Sequence, residues 1–176
     1  QGKKLIKKLV KTNIAIDLSH ANTKTFYNII KYCKKLKEEN LNPIIFASHS
    51  NCKTICNTPR NLTDNQIKEI ADLDGVVGIV GIKQFCLLDG DSYKEKYIEH
   101  INHVKNLLGG VENICVSTDN MEYYKIEPDK YKTMNIFKQS SVKKEITELL
   151  IQNKYTEEEV EKILCKNFKA KILQRL

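Results

Sequence analysis

The chain has 176 residues, 41% hydrophobic and 29% charged, with a net charge of +7. This is enough material for one domain with a substantial core, and the composition is ordinary for a globular protein. No apolar run approaches the ~20 residues that a membrane-spanning helix needs. The lysines are spread over many segments without interleaved aromatics, which argues against a nucleic-acid partner.

Leu5, Ile6, Leu9 and Val10 recur at helical spacing, so residues 2–11 are predicted helical. Residues 13–19 form an apolar strand, and Phe26, Ile29, Ile30, Cys33 and Leu36 mark the next helix. A second strand covers 43–48. Thr63 followed by Gln66 is a capping box opening a helix that stops near Gly75. Val76–Val80 is a third strand. Tyr97, Ile98, Ile101, Val104 and Leu108 line a helix ending at Gly109-Gly110, and 113–118 is a fourth strand ending at Asp119. Two helices follow, one over 142–152 and one capped by Thr156 with Glu159 and running to about Leu173.

Continuous apolar strands alternating with helices predict a parallel α/β sheet, either an open doubly wound sheet or part of a (β/α)8 barrel. His20, His49 and Asp119 fall at C-terminal strand ends, where such barrels carry their chemistry. The turn after the first strand, His20-Ala21-Asn22-Thr23, lacks the glycines of a dinucleotide fold. A full barrel takes about 250 residues, so four strands amount to half of one. Two imidazoles at adjacent strand ends can share one metal, and Arg60 nearby can hold a carboxylate. His100 and His103 lie three apart on a helix and read as structural. Asp17 is expected to be a buried acid, and Tyr123, Tyr124 and Tyr131 to pack a loop.

The six cysteines, Cys33, Cys52, Cys56, Cys86, Cys115 and Cys165, are scattered, several of them within apolar runs. They are expected to be reduced, buried thiols rather than a disulfide framework, and they favour a cytoplasmic setting. Cys52 and Cys56 are the only close pair, with no second pair to complete a metal site.

Asp17-Leu18-Ser19-His20, Ala47-Ser48-His49-Ser50-Asn51 and Pro59-Arg60-Asn61-Leu62-Thr63-Asp64, in that order, resemble the membrane (renal-type) dipeptidases. The resemblance continues through Asp74–Ile79, Tyr97–His103, Asp119, Asn153–Val160 and Asn167-Phe168. It implies a zinc-dependent dipeptidase built on a (β/α)8 barrel with a binuclear metal site, of which this chain is the C-terminal half. His20 and His49 would be metal ligands, Arg60 would bind the substrate carboxylate, and Asp119 would serve the substrate amine and its proton transfers. The family's His-x-Asp ligands and bridging Glu would lie upstream of Gln1. The half alone is therefore expected to be inactive, and its exposed strand edges to be covered by a second copy, by a retained N-terminal half or by an unusual rearrangement. Val80-Gly81 and Asn120-Met121-Glu122 depart from the family's usual residues, which keeps open a non-catalytic binding or scaffold domain, and also a related hydrolase acting on other amides.

Overall fold

The computed structural model describes residues 1–90, 92–119, 134–138 and 140–176. Helix α1 (Gly2–Lys11) turns Ile6, Leu9 and Val10 toward the core and its lysines toward water. Next come β1 (Ile16–Asp17), α2 (Thr23–Glu38), β2 (Ile45–Ala47), α3 (Asp64–Asp72) and β3 (Val76–Val80). They are followed by a single-turn α4 (Lys83–Cys86), α5 (Tyr93–Leu108), β4 (Ile114–Ser117) and α6 (Val142–Gln152). The capping boxes at Thr63 with Gln66 and at Thr156 with Glu159 are both formed. Helix α5 ends on Gly109 at φ 75°, a left-handed conformation that glycine adopts without steric cost.

Among the described residues four parallel strands are ordered β1-β2-β3-β4. Ile16 pairs with Ile45, Phe46 with Val76 and Val77 with Ile114. Each strand adds to the same side as its predecessor, so the sheet has no switch point. That order belongs to a barrel wall rather than a doubly wound sheet, and decides between the two architectures left open by the periodicity.

The strands alternate between two faces. Ile45, Ala47, Val77, Ile79 and Ile114 pack with Phe26, Ile30, Ile67, Ile70, Ile101 and Val104 of the helices in the main core. Tyr97 is fully buried there, donates its hydroxyl to the Ile79 carbonyl at 3.2 Å, and meets Phe137 edge-on. Ile44, Val76 and Cys115 face the other way and form a small cluster with Ile172, against which Phe46 and Phe168 pack.

The predicted terminal helix is broken into α7 (Glu157–Glu161), a π-helical turn (Lys162–Lys166), α8 (Asn167–Lys171) and a 3₁₀ turn (Leu173–Arg175). The break has a local cause. Buried Asn167 donates to the carbonyls of Val111 and Ile114 at 2.6 and 2.8 Å, and the wider π turn brings its side chain onto the start of β4. Arg175 then reaches Asn42 and Pro43 at the start of β2, so the C-terminal segment is tied to the N-terminal ends of the strands. The opposite, C-terminal rim is left for the site. Strand β1 is shorter than the predicted 13–19, consistent with its place at the edge of the sheet, where among the described residues it pairs with β2 alone.

Candidate active site

Beyond β1 the chain turns sharply. The Ala21 N–H bonds the Leu18 carbonyl at 3.1 Å and His20 takes a left-handed φ of 67°. A non-glycine residue held there costs about 1–3 kcal/mol and is found preferentially at functional sites. The turn is locked from its far side by Asn22, whose side chain caps α2 by accepting the Thr25 N–H at 2.9 Å. Beyond β2, the His49 N–H donates to the Ser19 hydroxyl at 3.0 Å, which ties one rim loop to the other. The result is that the Nε2 atoms of His20 and His49 lie 2.5 Å apart, with ring centroids at 4.6 Å.

Two bare imidazole lone pairs at that distance repel, and a proton or a cation between them turns the repulsion into attraction. Imidazole nitrogen suits zinc and related divalent metals, so the pair fits as part of a metal centre. Among the described residues no group of three His, Cys, Asp or Glu converges, so His20 and His49 form a partial donor set. Catalytic zinc sites ordinarily take three protein ligands.

Behind His49 lies a short polar chain. Its Nδ1 is 2.6 Å from the Ser48 hydroxyl, which donates to Asp17 Oδ2 at 2.6 Å. Asp17 Oδ1 accepts the backbone N–H groups of Ser19 and Ser48 at 2.9 and 3.0 Å. Asp17 is therefore not the buried acid expected from the sequence. It is exposed on the sheet face opposite the main core, and it organises the rim. Sequence reasoning missed Ser48 as a site residue. Strand alternation offered a signal, since Ser48 follows Ile44 and Phe46 at intervals of two and so belongs to the inner face.

Arg60 and His20 line one pocket of about 360 Å³, together with Asn22, Ser50 and Lys53. The Arg60 backbone N–H bonds the Thr58 hydroxyl at 3.1 Å, while among the described residues no carboxylate pairs with its exposed guanidinium. Asn61 anchors this loop by donating to the carbonyls of Cys56 and Phe85, both at 2.8 Å. Asp119 follows β4 on the same rim at φ 40°, exposed, with β3 between its strand and that of His49. Tyr123, Tyr124, Tyr131 and Asn120-Met121-Glu122 lie outside the described residues.

The other two histidines are occupied elsewhere. His103 Nε2 lies 2.8 Å from Asp64, which also accepts the Thr54 hydroxyl at 2.9 Å. His100 is fully buried, accepts the Cys52 N–H on Nδ1 at 3.1 Å and donates from Nε2 to the Cys86 carbonyl at 3.2 Å. All six cysteines are free and five are buried; burial pushes the thiols of Cys52, Cys86 and Cys115 up to about 12, which leaves them unreactive.

Burial also lowers His100 to about 4 from its ordinary 6.5. The unfolded chain takes up a proton there that the folded chain refuses, so this contribution is complete above pH 6.5 and is lost as pH falls toward 4. At 1.36 kcal/mol per unit the loss is about 3 kcal/mol. Urea unfolding at pH 7 and pH 4.5, where most but not all of this is lost, should show the wild type losing about 2 kcal/mol more stability than His100→Gln, which does not titrate. Equal losses would refute the assignment.

A parallel βα sheet with unreversed strand order, carrying the His20–His49 pair and Arg60 on its C-terminal rim, has the architecture of about half of a (β/α)8 barrel. The sequence model of the membrane dipeptidases (peptidase family M19) matches residues 1–175, and the chain belongs to that family, whose members are metallopeptidases. An uncharacterized protein from the pqqA 5′ region of Klebsiella pneumoniae is 34% identical over 122 residues, covering 67% of this chain and 42% of that protein. The fold matches the probable dipeptidase PvdM of Pseudomonas aeruginosa with a TM-score of 0.78 at 18% identity, over 99% of this chain and 54% of that one. It matches a Rhodobacter sphaeroides metallopeptidase, solved with a phosphinate mimic of the dipeptide L-Ala-D-Ala, with a TM-score of 0.75 at 20% identity, over 99% and 46%. The chain thus spans about half the length of these solved relatives and less than half of the curated one.

Proposed function

We propose that this chain supplies one half of the active site of a zinc-dependent dipeptidase and is inactive by itself. The reading is carried by the two Nε2 atoms that meet at 2.5 Å on the C-terminal rim. His20 and His49 would hold one zinc, with further ligands coming from outside the described residues. Zinc bound there would supply Lewis acidity and lower the pKa of a water to about 7.

The chain's own groups account for the rest. Arg60 takes the terminal carboxylate of the dipeptide in a two-pronged pair and fixes the peptide bond relative to the histidines. Asp119 faces the substrate's amino end, takes a proton from the attacking water and passes it to the leaving amine. Because β1 and β4 are the outer strands, the proposal includes a covering partner, either the first half of the barrel or a second copy.

The test uses the intact protein, zinc and simple dipeptides. Turnover that requires zinc supports the proposal. An intact protein that takes up no zinc and cleaves nothing favours the non-catalytic binding or scaffold domain instead. Arg60→Ala should raise KM more than it lowers kcat, by about 100-fold for the loss of a charged, two-pronged contact. Arg60→Lys should recover only part of this, since an ammonium cannot reproduce the fork. An unchanged KM in Arg60→Ala would remove Arg60 from the site.

A further inference from the structure

We infer that Asp17 and Ser48 act as a relay that holds His49 in its Nδ1–H tautomer and so keeps the Nε2 lone pair free for a cation. The inference rests on the proposed metal role of His49. Ser48 has one hydroxyl hydrogen, and a carboxylate can only accept. That hydrogen is committed to Asp17 Oδ2 at 2.6 Å, so the 2.6 Å contact with His49 is a hydrogen bond only if Nδ1–H is the donor. A neutral imidazole carries one proton, which leaves Nε2 bare. This bare nitrogen then accepts the Nε2 proton of His20 across 2.5 Å and exchanges that proton for a cation when one binds.

The direction of the relay is set by Asp17. Its Oδ1 accepts two backbone N–H groups, from Ser19 and Ser48, which turns Oδ2 toward the hydroxyl. Metal-bound histidines commonly give their second N–H directly to a carboxylate. Here one hydroxyl stands between, and Asp17 and Ser48 are positioning residues that act through His49.

Asp17→Asn is close to isosteric and reverses the relay. Its Oδ1 still accepts the two backbone N–H groups, but its amide now donates to Ser48 Oγ. The hydroxyl hydrogen, released from the carboxylate, then donates to His49 Nδ1, the arrangement in which all three groups keep a partner, and this favours the ring proton on Nε2, blocking the metal-facing nitrogen. Ser48→Ala removes the bias without reversing it, and Ser48→Thr restores the hydroxyl.

The experiment is nitrogen-15 NMR of the histidine side chains in the intact protein stripped of metal. Wild type and Ser48→Thr should show His49 as Nδ1–H, Asp17→Asn as Nε2–H, and Ser48→Ala as a mixture. A wild-type His49 already protonated on Nε2, or Asp17→Asn still in the Nδ1–H form, would overturn the inference. If Asp17→Asn fails to fold, the Ser48→Ala and Ser48→Thr pair carries the same test. Zinc titrations against a coloured chelator should show Asp17→Asn and Ser48→Ala binding about 10–100-fold more weakly than wild type, with Ser48→Thr close to it. The two readings fail separately. Zinc uptake that ignores His49→Ala removes the metal role while leaving the tautomer result standing, whereas unchanged tautomers with His49-dependent zinc uptake sink the relay alone.

Discussion

Replacing His49 by alanine in the intact, zinc-supplemented protein should abolish peptide hydrolysis while leaving the fold in place. His49 is half-buried at the end of β2 and outside the main core, so the substitution opens no large cavity. Its chemical cost is of another order. One of the two converging nitrogens disappears, and with it the partial donor set on which the metal chemistry depends. A catalytic metal contributes several kcal/mol of transition-state stabilisation, and about 4 kcal/mol corresponds to roughly three orders of magnitude in rate. Zinc content measured on the same preparation should fall with the rate. Full activity in His49→Ala would contradict the proposed function.

Gly78→Ala should damage stability and site together. A Cβ at position 78 would lie 2.2 Å from the Ser48 carbonyl oxygen and 2.9 Å from its carbon. The obstacle is backbone, so no side-chain rotation relieves it. Gly78 lies in β3 opposite Cys115, and its carbonyl accepts the Ser50 N–H at 2.8 Å. The sheet must therefore open at the point where Ser48 and His49 are aimed. Overpacking of this kind costs about 3 kcal/mol or more. For a chain of this size that corresponds to a fall of about 6–12 °C in Tm, and zinc affinity should drop with it. A Gly78→Ala protein with wild-type Tm and wild-type zinc affinity would show that the close approach of β3 to Ser48 is not needed.

Local signals in the sequence translated directly into structure. Helices at 2–11 and 142–152 end where their apolar periodicity ends, and both capping boxes form because cap and helix lie within one turn. What local rules do not encode was less legible. The π turn before Asn167 depends on two carbonyls more than 50 residues away in sequence. The single-turn helix Lys83–Cys86 has no side-chain cap to announce it. His20, His49 and Arg60 all stand in short motifs, and the fold brings His20 against His49 and into one pocket with Arg60. The partnership of Asp17 with Ser48 spans 31 residues and exists only once β1 and β2 pair in register. Asp17 departs from the burial its position suggests for a related reason. Its residue type at the end of an apolar run suggests burial, but it stands on the inner face of a sheet that is only half of a barrel wall.

The most direct measurement is anomalous X-ray scattering at the zinc edge from crystals of the intact protein grown with zinc. A peak is expected on the C-terminal rim within bonding distance of Nε2 of both His20 and His49. A zinc-containing protein with no peak at these two rings, or rings turned apart from one another, would contradict it.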